Sequence, residues 1–443
     1  MARRVPIVRG GQAPALRVGY CPVPRLQVPE GLLRPLQAEL SNGLRVRLLP
    51  EPSVDTLAYQ TFFRVGSRNE RPGLTGISHL FEHLMFNGAA RYGPKEFDRL
   101  VESRGGRSNA YTSWDVTAYH EEAPADALDL LLDLEIDRVS SLTITEQSLA
   151  SEREVVKEER RQSVDDSVLG VLDEQLQALV FQAHPYHWPI IGWPADLDRI
   201  GLADCRDFFA RHYAPNNATL VLCGRFDPDE ALRKIEATYG PLPRGAPVPV
   251  PPSEEPEQKG ERRARVLHPV QAPEVGIALR APAAREAASA DLDALQAVLG
   301  FGDGSVLVRS LVHEQRIATE VDVDYAWRLD GGAFVVWMEL PPGGKPEKAE
   351  SALWRELDRL CAKGPEPRRL ERAKSQMEVA LLRELAGTGG RAHAVGSGEL
   401  LLGGLDAVAD MFERIRRVTP RSAREMARRV FRREAACVVT AVP

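Results

Sequence analysis

Apolar and polar positions alternate from residue 38 to 49, on either side of Asn42-Gly43, and predict a β-hairpin. A second apolar run over 57–65 reads as a strand. After it the period changes: Ile77, Leu80, Phe81, Leu84 and Met85 recur at helical spacing, with Thr75 as the expected N-cap and Gly88 as the expected stop. The pattern then predicts a helix at 94–103, a strand-like stretch at 109–121, and helices at 124–140 and 145–177. A Pro-Trp-Gly loop follows at 185–194, then a helix at 202–212 and a strand at 218–224. Residues 240–261 are dense in proline and charge and read as a linker. Beyond it the order of elements repeats: strands at 262–268 and 274–281, helices at 289–299 and 305–316, and strands at 318–328 and 331–340. Helices at 346–362 and 367–385 and a last helix and strand complete the chain. Strand runs mixed with helix pairs imply an α+β fold, helices layered on antiparallel-rich sheets. The expected organisation is an arm at 1–37, a first domain at 38–240, a linker at 241–261 and a second domain at 262–443.

The first predicted helix carries candidate chemistry. It contains His79-Leu80-Phe81-Glu82-His83, so two imidazoles four residues apart share a face, with a carboxylate one residue before the second. Neutral imidazoles are good Zn²⁺ ligands, a catalytic zinc takes three protein ligands and a water, and a carboxylate that is not a ligand can accept that water's proton. His-x-x-Glu-His is the inverted form of the commoner zinc-peptidase motif. Glu152 and Glu159, seven residues apart on the acidic helix after 145, share one face and are candidates for the third ligand. Taken alone, that helix also reads as a solvated charged surface.

With these motifs in place the chain resembles the pitrilysin/insulinase family of zinc peptidases. Glu159 follows His83 at the family's spacing of about 76 residues for the third ligand, and Glu152 matches the glutamate seven residues before it. Gly105-Gly106-Arg107-Ser108-Asn109-Ala110-Tyr111-Thr112 is similar to the family's substrate-binding edge strand. The 184–192 loop and Tyr213-Ala214-Pro215-Asn216-Asn217 are further landmarks. The resemblance implies two homologous α+β domains. It implies one Zn²⁺ held by His79, His83 and Glu159, Glu82 as general base, Glu152 as a supporting catalytic residue, and an extended peptide added as a strand beside Asn109, Ala110 and Tyr111. One departure matters. Active members carry an arginine and a nearby tyrosine in the second half, where this chain has His313 and Thr319. Thr lacks the reach and His lacks a permanently charged fork. The expectation is a clamshell heterodimer in which a homologous metal-free subunit supplies the missing pair, with a homodimer as the fallback. The competing expectation is a non-hydrolytic scaffold subunit of the same fold.

Composition changes this picture little. The chain has 443 residues, 43% hydrophobic and 27% charged, and a net charge of −6 gives no electrostatic case for nucleic acid or an anionic membrane. Five scattered cysteines (21, 205, 223, 361 and 437) suggest reduced, mostly buried thiols. No apolar run has the length of a membrane span, and the basic N-terminus lacks a secretory core, so a cytoplasmic location is the default expectation. His120 reads as an exposed strand-end histidine, and His184 and His187 as loop-packing residues. Arg160-Arg161 and Arg416-Arg417 read as solvated helix faces, and Gly302-Asp303-Gly304-Ser305 as a turn.

Overall fold

A computed structural model describes residues 31–250 and 254–442. Most of the expected arm, Cys21 and three linker residues lie outside the described residues. In chain order the first half forms β1 (Leu36–Glu39), β2 (Arg45–Pro50), β3 (Thr56–Phe63), α1 (Ile77–Leu84), α2 (Glu96–Ser103), β4 (Arg107–Thr112) and β5 (Thr117–Pro124). It continues through α3 (Leu128–Ser141), α4 (Glu146–Arg160), α5 (Val168–Val180), α6 (Pro194–Leu197), α7 (Leu202–His212), β6 (Ala218–Gly224) and α8 (Pro228–Tyr239). The second half forms β7 (Arg262–Leu267), β8 (Glu274–Ala281), α9 (Ser289–Gly300), β9 (Glu320–Tyr325), β10 (Gly332–Glu339), α10 (Pro346–Lys363) and α11 (Pro367–Glu384). It ends with α12 (Thr388–Leu401), α13 (Leu405–Ala409), α14 (Met411–Arg417), α15 (Pro420–Val430) and β11 (Ala436–Val442).

The strands make two sheets with the same plan. The first has the order β1-β2-β6-β3-β5-β4 and the second β7-β11-β8-β10-β9. In each, one pair is parallel (β2 with β6, β7 with β11) and the pairs that follow are antiparallel. Each sheet ends in a free edge, β4 in the first and β9 in the second. The fold is α+β, two homologous sheet-and-helix units. Among the described residues no helix is long and apolar enough to cross a membrane.

Each sheet buries one face against its own helices, but the other face is covered by a helix from the opposite half. Leu172, Leu176 and Val180 of α5 pack with Ala278, Val335 and Val439 of the second sheet. In exchange, α12 lies across β3 and β6 of the first. The approach of α12 is so close that a Cβ at Gly396 would stand 2.1 Å from the Phe62 ring, so only glycine fits there. Arg328 adds a polar rivet between the halves: fully buried, it stacks 3.6 Å from the Trp114 ring centroid and donates to Gln177 Oε1 at 3.0 Å.

Several expectations from the sequence are corrected. The stretch 109–121 is two strands, because the Ser113 hydroxyl accepts from the N–H groups of Asp115 and Val116 and turns the chain. The long helix expected at 145–177 breaks, because Ser167 accepts from Gly170 N–H and starts α5 afresh. Helix α8 was not expected. Its signal is Asp227-Pro228, with Asp227 accepting from Glu230 N–H at 2.8 Å. His120 lies within β5, half-buried and paired with Gln60 and Asn109, so it is not an exposed strand end.

Candidate metal centre and edge strand

Helix α1 is anchored at its start by carboxylates from neighbouring segments. Thr75 does not cap it. Its hydroxyl and N–H both donate to Asp196 Oδ2, while Gly76, at φ +88, begins the helix. The capping acceptor is Glu70, whose two oxygens take the N–H groups of Gly76 and Ser78, each at 2.8 Å. Burial pushes the Glu70 carboxyl up to about 8, although both N–H donors oppose the shift. A Glu70→Gln variant keeps one acceptor and points an amide N–H at a backbone N–H. It is expected to lose about 1–3 kcal/mol in urea unfolding, whereas the same exchange at exposed Glu158 should change little.

Helix α4 is built to meet α1. Thr145 and Ser148 cap its start reciprocally, and Leu149 and Val156 bury its inner side. Arg160, expected to be solvated, is buried. It donates to Gly192 O at 3.0 Å and pairs with Glu174 at 2.8 Å. Arg153 donates to Ile200 O at 2.6 Å. The 192–200 loop therefore clasps α4, and through Asp196 it also holds the entry to α1.

The donor atoms of His79, His83 and Glu159 consequently lie within 4.8 Å of one another. His79 Nε2 is 3.6 Å from Glu159 Oε1, and His83 Nε2 is 3.3 Å from Glu159 Oε2. Two donors of a tetrahedral zinc, each about 2.0–2.1 Å from the ion, stand roughly 3.3 Å apart. The set therefore fits one such ion with a position left open. Burial pulls His79 down to about 4, so its imidazole is neutral and its lone pair free. For His83 burial acts in the same direction but is outweighed by hydrogen bonds to Glu152 and Glu159, which raise it to about 9. A metal must displace that proton. Glu152 Oε2 stands 3.4 Å from His83 Nδ1, the carboxylate–histidine arrangement that orients a metal ligand. His79 Nδ1 is buried without a hydrogen-bond partner among the described residues.

Glu82 faces β4. Burial raises its carboxyl above the ordinary range, against a hydrogen bond from Thr112. That bond, Thr112 Oγ1 to Glu82 Oε2 at 2.7 Å, ties the carboxylate to the edge strand. Thr112 closes the Gly-Gly-x-x-Asn-Ala-x-Thr stretch, and the sequence reading assigned it no role. The three residues expected to meet substrate divide by strand alternation. Ala110 packs on the core on the Thr112 side. Tyr111 turns to the other face, 5.7 Å from the ring of His393 on α12. Asn109 folds back to accept from Ala110 N–H at 2.8 Å. What this edge offers a ligand is backbone more than side chain. His313 and Thr319, in the second half, are exposed, and Thr319 donates to Glu339 O at 3.2 Å. His184 and His187 are loop-packing residues: His184 Nδ1 accepts from Tyr186 N–H, and His187 Nδ1 sits 3.1 Å from His184 O. Of the described cysteines, 205, 223 and 437 are buried free thiols and Cys361 is partly exposed.

Comparison with known proteins agrees with this geometry. Residues 45–192 match the family described as insulinase (peptidase family M16), and residues 199–377 match the peptidase M16 inactive domain. The chain is 33% identical to the zinc protease PqqE of Helicobacter pylori over 329 residues, 73% of each chain. A crystal structure of a protease from Helicobacter pylori superposes with a TM-score of 0.89 at 28% identity, covering 93% of this chain and 99% of that one. The periplasmic protease PqqL from Escherichia coli shares the fold, with a TM-score of 0.76 at 19% identity, and this chain covers 47% of its length. The two family matches, which together span most of the chain, and the 33% identity to the Helicobacter pylori protease make this chain a member of the insulinase (M16) peptidase family.

Proposed function

We propose that the chain is the zinc subunit of a metalloendopeptidase that hydrolyses peptides or unfolded segments held as an added strand. The observation that carries the reading is the bond between Thr112 and Glu82, which joins the base beside the metal ligands to the edge where a peptide would lie. Bound Zn²⁺, one per chain, would supply a Lewis acid for the scissile carbonyl and acidify the attacking water. His79, His83 and Glu159 hold the ion, and Glu152 fixes the tautomer and orientation of His83. Glu82, its basicity raised by burial, takes the proton from the attacking water and delivers it to the leaving amine. The free edge of β4 binds the peptide backbone with modest sequence preference.

The finer part of the proposal is a second subunit. His313 and Thr319 cannot form the arginine–tyrosine contact expected across the metal, and the longer relative PqqL has about twice the length that this chain covers. A homologous metal-free chain closing as the other half of a clamshell would supply it, with a second copy of this chain as the fallback. The scaffold reading draws on the same two residues and on the match of 199–377 to an inactive domain. The deciding experiment is cleavage of a mixed unstructured-peptide substrate by the zinc-loaded chain, alone and after co-expression with a metal-free homologue. The proposal expects co-purification and turnover that rises at least tenfold in the pair. Full activity of a strict monomer would overturn the two-subunit part, and silence of the pair would favour the scaffold.

A further inference from the structure

The duplication gives the metal centre a counterpart. Its helices α1 and α4 pack together in the first half, and α9 and α11, which occupy the same places in chain order, pack together in the second. On α4 the positions that carry and separate the two acids are Glu152, Val155, Val156 and Glu159. On α11 the positions at the same spacing are Met377, Ala380, Leu381 and Glu384. All four line a cavity of about 340 Å³ between α9, α11 and α14, at the small end of ligand-binding pockets. Among the described residues, the only cluster suited to a metal ion is the one on α1 and α4. The counterpart is an open pocket of different chemistry. Its walls are aromatic and thioether groups, including Phe301, Tyr325, Trp327 and Met411.

Three charged groups interrupt this apolar lining, and the enzymatic reading uses none of them. Asp293, on α9, accepts from Trp327 Nε1 through Oδ1 at 2.9 Å and makes no ion pair among the described residues. Glu384, at the end of α11, has neither a side-chain hydrogen bond nor an ion pair among the described residues. Arg414, on α14, is fixed from behind, its Nη2 donating to Ser289 Oγ at 2.8 Å and to Ala284 O at 3.3 Å, and it makes no close ion pair with a carboxylate among the described residues. An acid with a free oxygen and an unpaired guanidinium thus border one small apolar cavity. Burial pushes Asp293 up to about 7, against the Trp327 hydrogen bond and the attraction of Arg414 across the cavity.

We propose that this cavity is a second ligand site, for a free amino acid with a large apolar side chain. Asp293 receives the ammonium, with Glu384 adding charge at the rim, and Arg414 receives the carboxylate. The phenyl or branched aliphatic group fills the space between Trp327 and Met411. A dicarboxylate or an uncharged apolar molecule would leave Asp293 or Arg414 desolvated without a partner, so both charges and the apolar body are required.

The test is calorimetric titration of the full chain with L-phenylalanine and L-leucine, with Trp fluorescence as a second readout. The experiment needs no metal and no peptide cleavage, so its outcome is independent of the peptidase reading. The proposal expects saturable binding of one molecule per chain. It expects affinity reduced by about tenfold or more for phenylalaninamide, for N-acetylphenylalanine and for the Asp293→Asn variant, each of which removes one charged contact. Ala380→Phe, at the exposed mouth, should block binding without disturbing the core. Absence of saturable binding up to about 10 mM ligand, equal binding of the amide, or binding unaffected by Ala380→Phe would each overturn the proposal.

Discussion

Replacing Glu82 by Gln lowers peptide hydrolysis by about 10²–10⁴-fold, the usual contribution of a positioned general base, while the zinc content of the chain stays at the wild-type level. The separation is expected because Glu82 is not one of the three clustered donors, and the amide oxygen of Gln can still accept from Thr112. Gln cannot take a proton from water. Side-by-side cleavage kinetics and metal analysis of the purified subunit, measured with its partner if one is needed, check the result. Wild-type turnover by the Gln variant would remove Glu82 from the chemistry. Loss of zinc along with activity would instead make Glu82 a structural support for the ligands.

The second large effect lies in the core of the first half. Arg138 on α3 is fully buried, paired with Glu121 of β5 at 3.0 Å and with Glu135 one turn before it. Its guanidinium lies over the rings of Phe97 and Tyr119, each at 4.5 Å, and of Phe86 at 5.2 Å. Burial raises both glutamates, and for Glu121 the neighbouring acid adds to the rise, so two buried carboxyls share one positive charge. An Arg138→Met variant preserves much of the volume but leaves two buried acids without a counter-charge. The expected loss is about 3–5 kcal/mol in chemical unfolding. The sign of its pH dependence follows from linkage. An acid whose pKa is raised in the folded state loses stability as pH climbs from its unfolded value through its folded one. Removing the arginine raises both acids further, so the deficit of the variant should widen from pH 5 to pH 8. Replacing all three residues by apolar ones of similar size should recover most of the loss. A deficit that is independent of pH would mean that lost packing against the rings, and not charge, dominates.

The paired imidazoles were legible in the sequence because His79 and His83, four residues apart, share a helical face. Glu159 was singled out from Glu152 only by the resemblance to the insulinase family, since their spacing alone offered both. The supports were not legible. Glu70 and Asp196 act on backbone N–H groups, a role that any acid can fill and no spacing announces. Thr112 was visible only as the last letter of an edge-strand motif, and its bond to Glu82 depends on the turn at Ser113 that alternation alone did not reveal. Arg160 read as surface because its partners, Gly192 and Glu174, come from other segments. The helix exchange was hidden for another reason. The buried residues of α12 include Gly389, Ala392, Ala394, Gly396 and Gly398, small residues that give a weak apolar signal although Gly396 lets the helix approach Phe62 closely.

That exchange also dictates an order of events during synthesis. The back of β3 is sealed by Gly396, which leaves the ribosome 334 residues after Phe62. At about 5–20 residues per second this is a delay of roughly 15–70 s. Throughout that interval the first half has its own helices available but one side of its sheet uncovered, so the nascent chain carries an open apolar surface. Sealing of this sheet is therefore tied to completion of nearly the whole chain, and molecules truncated before α12 are expected clients for a holdase and for degradation.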